Sequence, residues 1–372
     1  MKPTVPLVRW SISITELIKI EIWNKIWPVL IAIVIFGLII FIHEFGHFIF
    51  AKLFKIKVNQ FAIGFGPAIF KFQHGETLYA IRILPLGGYC AMEGENGESA
   101  DERAFSKAKV WQRIIVCAAG AIFNIILGFA ILLTIVGLQS DKLASTTVSK
   151  FYDNATSCGD GGLQIGDKIE KINGRNIFSA DDLNYMLALS DDGFVSMQVQ
   201  RDGEKVDLPQ VKFALEEYEG HTYMIRDFYV SPIDTNIFGL IKEAGGRTLS
   251  MARYVIMSLC DLVTGKYGLQ DVSGPVGITN IMSQAVTSVS ENGVSGLIYL
   301  LRILSLITIN LGVFNLLPIP ALDGSRILFL VIEGIRRKPI PPEKEGIVHA
   351  VGMLVLLIFM GIIIVKDIFS LF

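Results

Sequence analysis

The stretch FIHEFGHFIF, residues 41–50, places His43, Glu44 and His47 inside a run apolar enough to sit in lipid. On a helix, His43 and His47 are four positions apart and project from one face, while Glu44 stands about 100° round the axis beside whatever the two imidazoles hold. This is the H-E-x-x-H arrangement, in which neutral imidazoles bind a divalent cation and the glutamate accepts a proton from an activated water. A polar cluster that staples helices together is the plainer use of such residues. It fails on cost, because each ionisable group near mid-membrane costs about 2.5–3.5 kcal/mol on insertion scales and so needs a compensating partner. A cation is such a partner, and zinc suits neutral imidazoles combined with one carboxylate.

A catalytic zinc wants three protein ligands and an open position. In GVFNLLPIPALDGSRIL, residues 312–328, Asp323 is the one carboxylate, and it follows Pro318 and Pro320, which interrupt a helix. Irregular backbone at membrane depth is tolerated where it lines a cavity. The competing use of Asp323-Gly324 is an interfacial turn. Charge asymmetry weighs between the two. Lys and Arg gather in the 51–109 loop and in a short turn after the third span (Arg326, Arg336, Arg337, Lys338, Lys344), which assigns both to the cytoplasmic side. HEFGH and Asp323 then fall at matching depth, toward the cytoplasmic ends of their spans, and this favours Asp323 as the third ligand.

These residues need a membrane scaffold. Of the 372 residues 52% are hydrophobic and 18% charged, and the mean hydropathy of +0.52 exceeds that of ordinary soluble domains. Four segments, about 28–50, 112–138, 297–317 and 347–365, reach the ~20 apolar residues that a spanning helix requires. Residues 15–27, with Trp23 and Trp27, read as an interfacial helix preceding the first span. No cleavable signal peptide is expected, since the first long apolar run contains the histidines. The net charge of −2 and the absence of a wide basic patch exclude nucleic acid as a partner. Cys90, Cys117, Cys158 and Cys260 have no C-x-x-C spacing and are expected to be unpaired.

Outside the spans, TLYAIRILPLGGYCAM (77–92) reads as part of a hairpin dipping toward the site with an edge open to strand addition. His74 falls at its turn. GGLQIGDKIEKINGRNI, SADDLNYMLAL and FVSMQVQRDGEKVDL give strand, Asn-Gly turn, strand, capped helix and a hairpin turning at Asp202-Gly203. The apolar run 238–263 is interrupted by Lys242, Glu243, Arg247 and Arg253, so it lies on the membrane or against this domain without spanning. Gly120, Asn124 and Gly128 form one stripe that reads as close helix packing.

In order along the chain, HEFGH (43–47), GFGP (64–67), LPLGGYCAMEGE (84–95), GAIFN (120–124), GPVGI (274–278) and NLLPIPALDG (315–324) resemble the site-2 proteases, intramembrane zinc metalloproteases, and most closely their bacterial single-PDZ branch. The resemblance implies that His43, His47 and Asp323 bind Zn2+, that Glu44 is the catalytic acid/base and that Asn315 holds substrate; on its residues alone, Asn315 could equally make a helix-packing hydrogen bond. Two departures stand out: Ala121 replaces a proline common among relatives, and the N-terminal extension is long.

The implied fold is a polytopic α-helical membrane protein with a membrane-dipping β-hairpin and an inserted α/β PDZ-like extracytoplasmic domain. Its expected parts are the extension 1–27, a first catalytic half 28–140, the PDZ-like domain 141–232, a membrane-surface connector 233–296 and a second catalytic half 297–372. The implied setting is the bacterial inner membrane, with the site facing the cytoplasm. The implied partners are the bilayer and single-span membrane proteins such as anti-sigma factors or signal-peptide remnants. Two other classes compete. An inactive helix-binding scaffold has no need of Glu44, and a metal transporter would need polar residues through the remaining spans.

Overall fold

The computed structural model describes every residue except 1–13, 96, 98, 140–142, 160, 191, 219–220, 234–235, 267, 269, 271 and 370–372; the reading of 1–13 as an extension lies outside the described residues. In chain order the elements begin with α1 (Ile14–Leu53), β1 (Val58–His74), β2 (Thr77–Met92) and α2 (Val110–Leu138). Then follow β3 (Ala144–Phe151), β4 (Lys168–Ile172), β5 (Arg175–Asn176), α3 (Ala180–Ala188), β6 (Phe194–Arg201), β7 (Glu204–Lys212), β8 (Leu215–Tyr218), β9 (His221–Met224) and β10 (Phe228–Pro232). The chain ends with α4 (Ile237–Val263), α5 (Pro275–Asn292), α6 (Val294–Leu316), α7 (Asp323–Arg336) and α8 (Pro342–Phe369). Among the described residues four helical segments are long and apolar enough to cross a membrane: Ile26–Leu53, Val110–Leu138, Val294–Leu316 and Pro342–Phe369. They match the four spans expected from the sequence.

Two compact units make up the chain: Met1–Val116 with Leu269–Leu300 and Pro339–Phe372, and Cys117–Gly268 with Leu301–Lys338. In the first, α1 runs unbroken through Pro28, so residues 15–27 are continuous with the span and do not form a separate helix. A proline removes one ladder hydrogen bond, a local loss that a helix of this length absorbs. The hairpin is more folded than a simple pair of strands. Residues 60–63 of β1 pair with 88–91 and also with 78–81, while 70–74 pair with 77–81. β2 therefore borders the start of β1 on both sides, reversing near Gly87 at φ +94, a conformation glycine adopts without strain. His74 pairs with Thr77 at the turn, as expected. The helix α5 was not anticipated. Its start signal was present, since Pro275 follows Gly274 and proline fits the first helical turn. Asp367 of α8 accepts a hydrogen bond from the Gly277 N–H at 2.9 Å, and Lys366 donates to the Val272 carbonyl at 2.7 Å.

The second unit contains a six-stranded sheet in the order β10-β3-β4-β6-β7, with β5 paired to β4. Along β6, Val195, Met197 and Val199 are buried, the period of two that places alternate side chains in one core. On β4 the buried pair is Ile169 and Ile172, three apart, and a register shift between Ile169 and Lys171 restores their common face. Asn173-Gly174 and Asp202-Gly203 all have positive φ, the signature of the two-residue turns expected there. Ser179 caps α3 by accepting from the Asp182 N–H.

Asp182, fully buried, also binds α4: it accepts from Arg253 and from the Tyr254 hydroxyl, the latter at 2.6 Å, and its other oxygen takes the Phe178 N–H at 2.9 Å. Of the charged residues that interrupt 238–263, Arg247 and Arg253 thus face the sheet domain, with Arg247 bonded to both Asp181 and the buried Glu243, while Lys242 is exposed. Between α2 and α6, a Cβ on Gly128 would collide with Ile309, and Thr308 donates to the Asn124 carbonyl at 3.2 Å. This is the close packing read from the Gly120–Asn124–Gly128 stripe. Where a short turn was expected after the third span there is instead the helix α7, closed by Arg337 in the left-handed conformation.

Candidate metal centre

His43 and His47 come together on the buried face of α1, with their Nε2 atoms 3.2 Å apart and their ring planes at 79°. His47 Nδ1 lies 2.7 Å from the Val116 carbonyl oxygen. A carbonyl only accepts, so Nδ1 carries the proton and the Nε2 lone pair of His47 is aimed at His43. An outward-held tautomer of this kind is what a metal-ligating imidazole requires. Sequence reasoning missed the Val116 carbonyl, since a backbone acceptor has no residue-type signature.

Glu44 occupies the neighbouring helix position and faces the hairpin. A Cβ added to Gly88 would lie 2.9 Å from Glu44 Cγ, 3.0 Å from the Ala62 carbonyl oxygen and 3.4 Å from Ile40 Cγ2. Glycine at 88 is what lets the strand approach the HEFGH helix this closely. Cys90, two residues on, is buried, and burial together with the nearby Glu44 charge pushes its thiol pKa well up. Phe41, Phe48, Phe61 and Tyr79 complete the packing between α1 and the hairpin, with ring centroids 5.1–6.2 Å apart.

In the second unit Asp323 is half-buried and forms the first residue of α7, where the helix N-terminus favours a negative charge. The segment from Leu317 to Leu322 is irregular and held by the bonds Leu317 N–H to Phe314 carbonyl, Ile319 N–H to Leu317 carbonyl and Leu322 N–H to Ile319 carbonyl. Gly324 packs so tightly against Leu316 and Leu317 that no side chain fits there. Proline removes the donors and glycine permits the fold-back, and together they bring the start of α7 onto the end of α6. Asn315 is buried on the last turn of α6. His74 stays at the hairpin turn and His349 faces Glu345 at 3.7 Å on α8; neither joins the imidazole pair.

Residues 31–359 match the family model described as peptidase family M50. The chain belongs to the M50 family, that of the site-2 proteases. Among the M50 relatives, a Clostridium acetobutylicum protein is 37% identical over 346 residues, covering 91% of this chain and 97% of the relative. A Bacillus licheniformis protein named zinc metalloprotease RasP is 31% identical over 424 residues, covering 91% and 98%. The Bacillus subtilis regulator of sigma-W protease RasP is 30% identical over 421 residues, again covering 91% and 98%. These M50 relatives are matched almost end to end, so the likeness embraces both the HEFGH helix and the LDG segment.

Proposed function

We propose that this M50 member is an intramembrane zinc endopeptidase that cuts the membrane-spanning segments of single-span proteins. The observation that carries the proposal is the facing pair of imidazole nitrogens, one oriented by a carbonyl, on a helix apolar enough to span. The donor set fits zinc: His43 and His47 offer two imidazoles, and Asp323, the third ligand that the resemblance to the site-2 proteases implies, offers a carboxylate. When bound, zinc supplies Lewis-acid polarisation of a water and of the scissile carbonyl. Glu44 would accept a proton from the attacking water and return it to the departing amine. Asn315 donates a side-chain hydrogen bond that holds the substrate backbone. Gly88 keeps the Glu44 side chain packed against the hairpin, which limits the rotamers from which the proton can be taken.

A helical substrate hides its peptide bonds in its own ladder and must unwind to be cut. Residues 88–91 pair with 60–63 on one side and with nothing on the other among the described residues, and that free side offers a strand edge to receive the unwound segment. Ile69, Phe70 and Ile83 expose more than half their surface on the hairpin, which fits a loop dipping into lipid. The sheet with α3 reads as a PDZ-like domain that admits or selects substrates. The Lys/Arg asymmetry supports a cytoplasmic side for HEFGH and the hairpin and an outer side for the sheet domain, and the resemblance implies a bacterial inner membrane. By analogy with the relative named regulator of sigma-W protease, the substrates include a membrane-held regulator of a sigma factor.

The metal assignment is tested by elemental analysis. The purified chain should hold one zinc, and His43→Ala or Asp323→Ala should lose it, since a site reduced to two protein ligands binds at least about tenfold more weakly. Full zinc in both variants would refute the ligand set. Orientation is tested with thiols. Cys158 and Cys260 are exposed and should react with an impermeant maleimide on sealed cells. Cys90 is buried and silent on either side, so the cytoplasmic reporter is Lys71→Cys on the exposed hairpin face. Labelling of Lys71→Cys in sealed cells would invert the topology.

A further inference from the structure

One row of α1, spaced four apart and adjacent to the histidine row, consists of Ile40, Glu44, Phe48 and Lys52. Every member meets the hairpin. Ile40 and Glu44 lie against Gly88. The Phe48 ring packs on Phe61 and Tyr79, with centroids 5.1 and 6.0 Å away. Lys52 Nζ donates to Glu76 Oε1 at 3.0 Å and to Thr77 Oγ1 at 2.9 Å. Thr77, 1% exposed, donates in turn to the Val58 carbonyl at 2.7 Å, and the second oxygen of Glu76 accepts from Arg103 at 2.6 Å. One ammonium therefore gathers the starts of β1 and β2 onto the last turn of the HEFGH helix. The hydrogen bonds from Lys52 and then Arg103 lower the Glu76 pKa, so the carboxylate stays charged.

We propose that Lys52 is a positioning residue: it sets the register of the hairpin along α1, and through that register the seat of Gly88 against Glu44 and the placement of the receiving edge at 88–92. This rests on the proteolytic reading above. The Lys52–Glu76 pair is about one-third exposed on both sides, so its net contribution to stability is small. Thr77 keeps its bond to Val58 without it. Loss of the ammonium therefore releases geometry while leaving the fold intact, and a slip of about 1 Å at a reacting group slows chemistry severely.

The test uses the full-length, zinc-loaded chain in detergent, with a synthetic single-span helix carrying a fluorophore and a quencher on opposite sides of the membrane segment. Lys52→Met should lower kcat about tenfold, with zinc content and KM unchanged, and Lys52→Arg should restore most of the rate. A second readout does not depend on turnover. With Cys117, Cys158 and Cys260 replaced by serine, alkylation of buried Cys90 by N-ethylmaleimide should be about tenfold faster in Lys52→Met, because opening now exposes it more often, and slow again in Lys52→Arg. Wild-type kcat in Lys52→Met, loss of zinc along with rate, or a slower enzyme with unchanged Cys90 alkylation would each overturn the proposal. Glu44→Gln run beside it separates the two claims. If Glu44→Gln still cleaves, the proteolytic reading itself fails; if it is inert while Lys52→Met is fully active, only the tether fails.

Discussion

Glu44→Gln protein should keep its zinc and lose proteolysis by about a thousandfold or more. The exchange leaves the proposed ligands His43, His47 and Asp323 untouched and preserves side-chain length, so metal content tests the proposed ligands and turnover tests the proposed base. An amide cannot accept the water proton or return it to the amine, and general acid–base groups of this kind contribute about 10²–10⁴ in rate, or roughly 3–5 kcal/mol of barrier. The measurement is initial rate on the single-span substrate alongside zinc stoichiometry. Cleavage within tenfold of wild type would remove Glu44 from the chemistry. Loss of zinc would mean that the glutamate is a ligand and the third donor has been misassigned.

A second large effect is expected from Gly88→Ala, a change of one methyl group at a position with no ionisable atom. The new Cβ would sit 2.9 Å from Glu44 Cγ and 3.0 Å from the Ala62 carbonyl oxygen. The Ala62 oxygen belongs to a paired strand and cannot easily yield, so the glutamate must swing aside or the hairpin must lift. Either displaces the base by a fraction of an ångström to an ångström, and kcat should fall about a hundredfold with zinc retained. Single-turnover rates against zinc content check this. Undiminished kcat would show that the hairpin does not constrain the base. Gly137→Ala on α2, at a glycine with open space around it and no positive φ, serves as the control for an added methyl group.

How much of this could be read beforehand differs by element. The four spans were legible because about twenty apolar residues in lipid have one stable solution, the helix. The histidine pair was legible because its spacing and its cost in an apolar run both demand an explanation. The turns at Asn173-Gly174 and Asp202-Gly203 were legible because positive φ selects those residues. α5 and α7 were not read, since neither is long or apolar enough to announce a span and their polar residues resemble those of connecting loops. The double pairing of residues 60–63 was also hidden. Nothing local in β1 says that two separate stretches of β2 will border it, because that depends on the reversal at Gly87 and on the aromatic packing against α1. The carbonyl that orients His47 and the ammonium at Lys52 share this character: their roles come from what the fold brings beside them.

The attachment of α4 has a practical consequence for anyone who would move or remove the sheet domain. Asp182 belongs to α3 and Arg253 and Tyr254 to α4, yet the three share one buried carboxylate. A cut just after β10 would strip Asp182 of Arg253 and Tyr254 and uncover the face of α3 that they cover, and would bare the inward row of α4 around Glu243 and Arg247. The transplantable cassette therefore ends beyond Val263. Chimeras joined there would inherit an intact charge lock, while those joined at 232 would carry a broken one, and differences in their behaviour would report on misfolding before they reported on substrate choice.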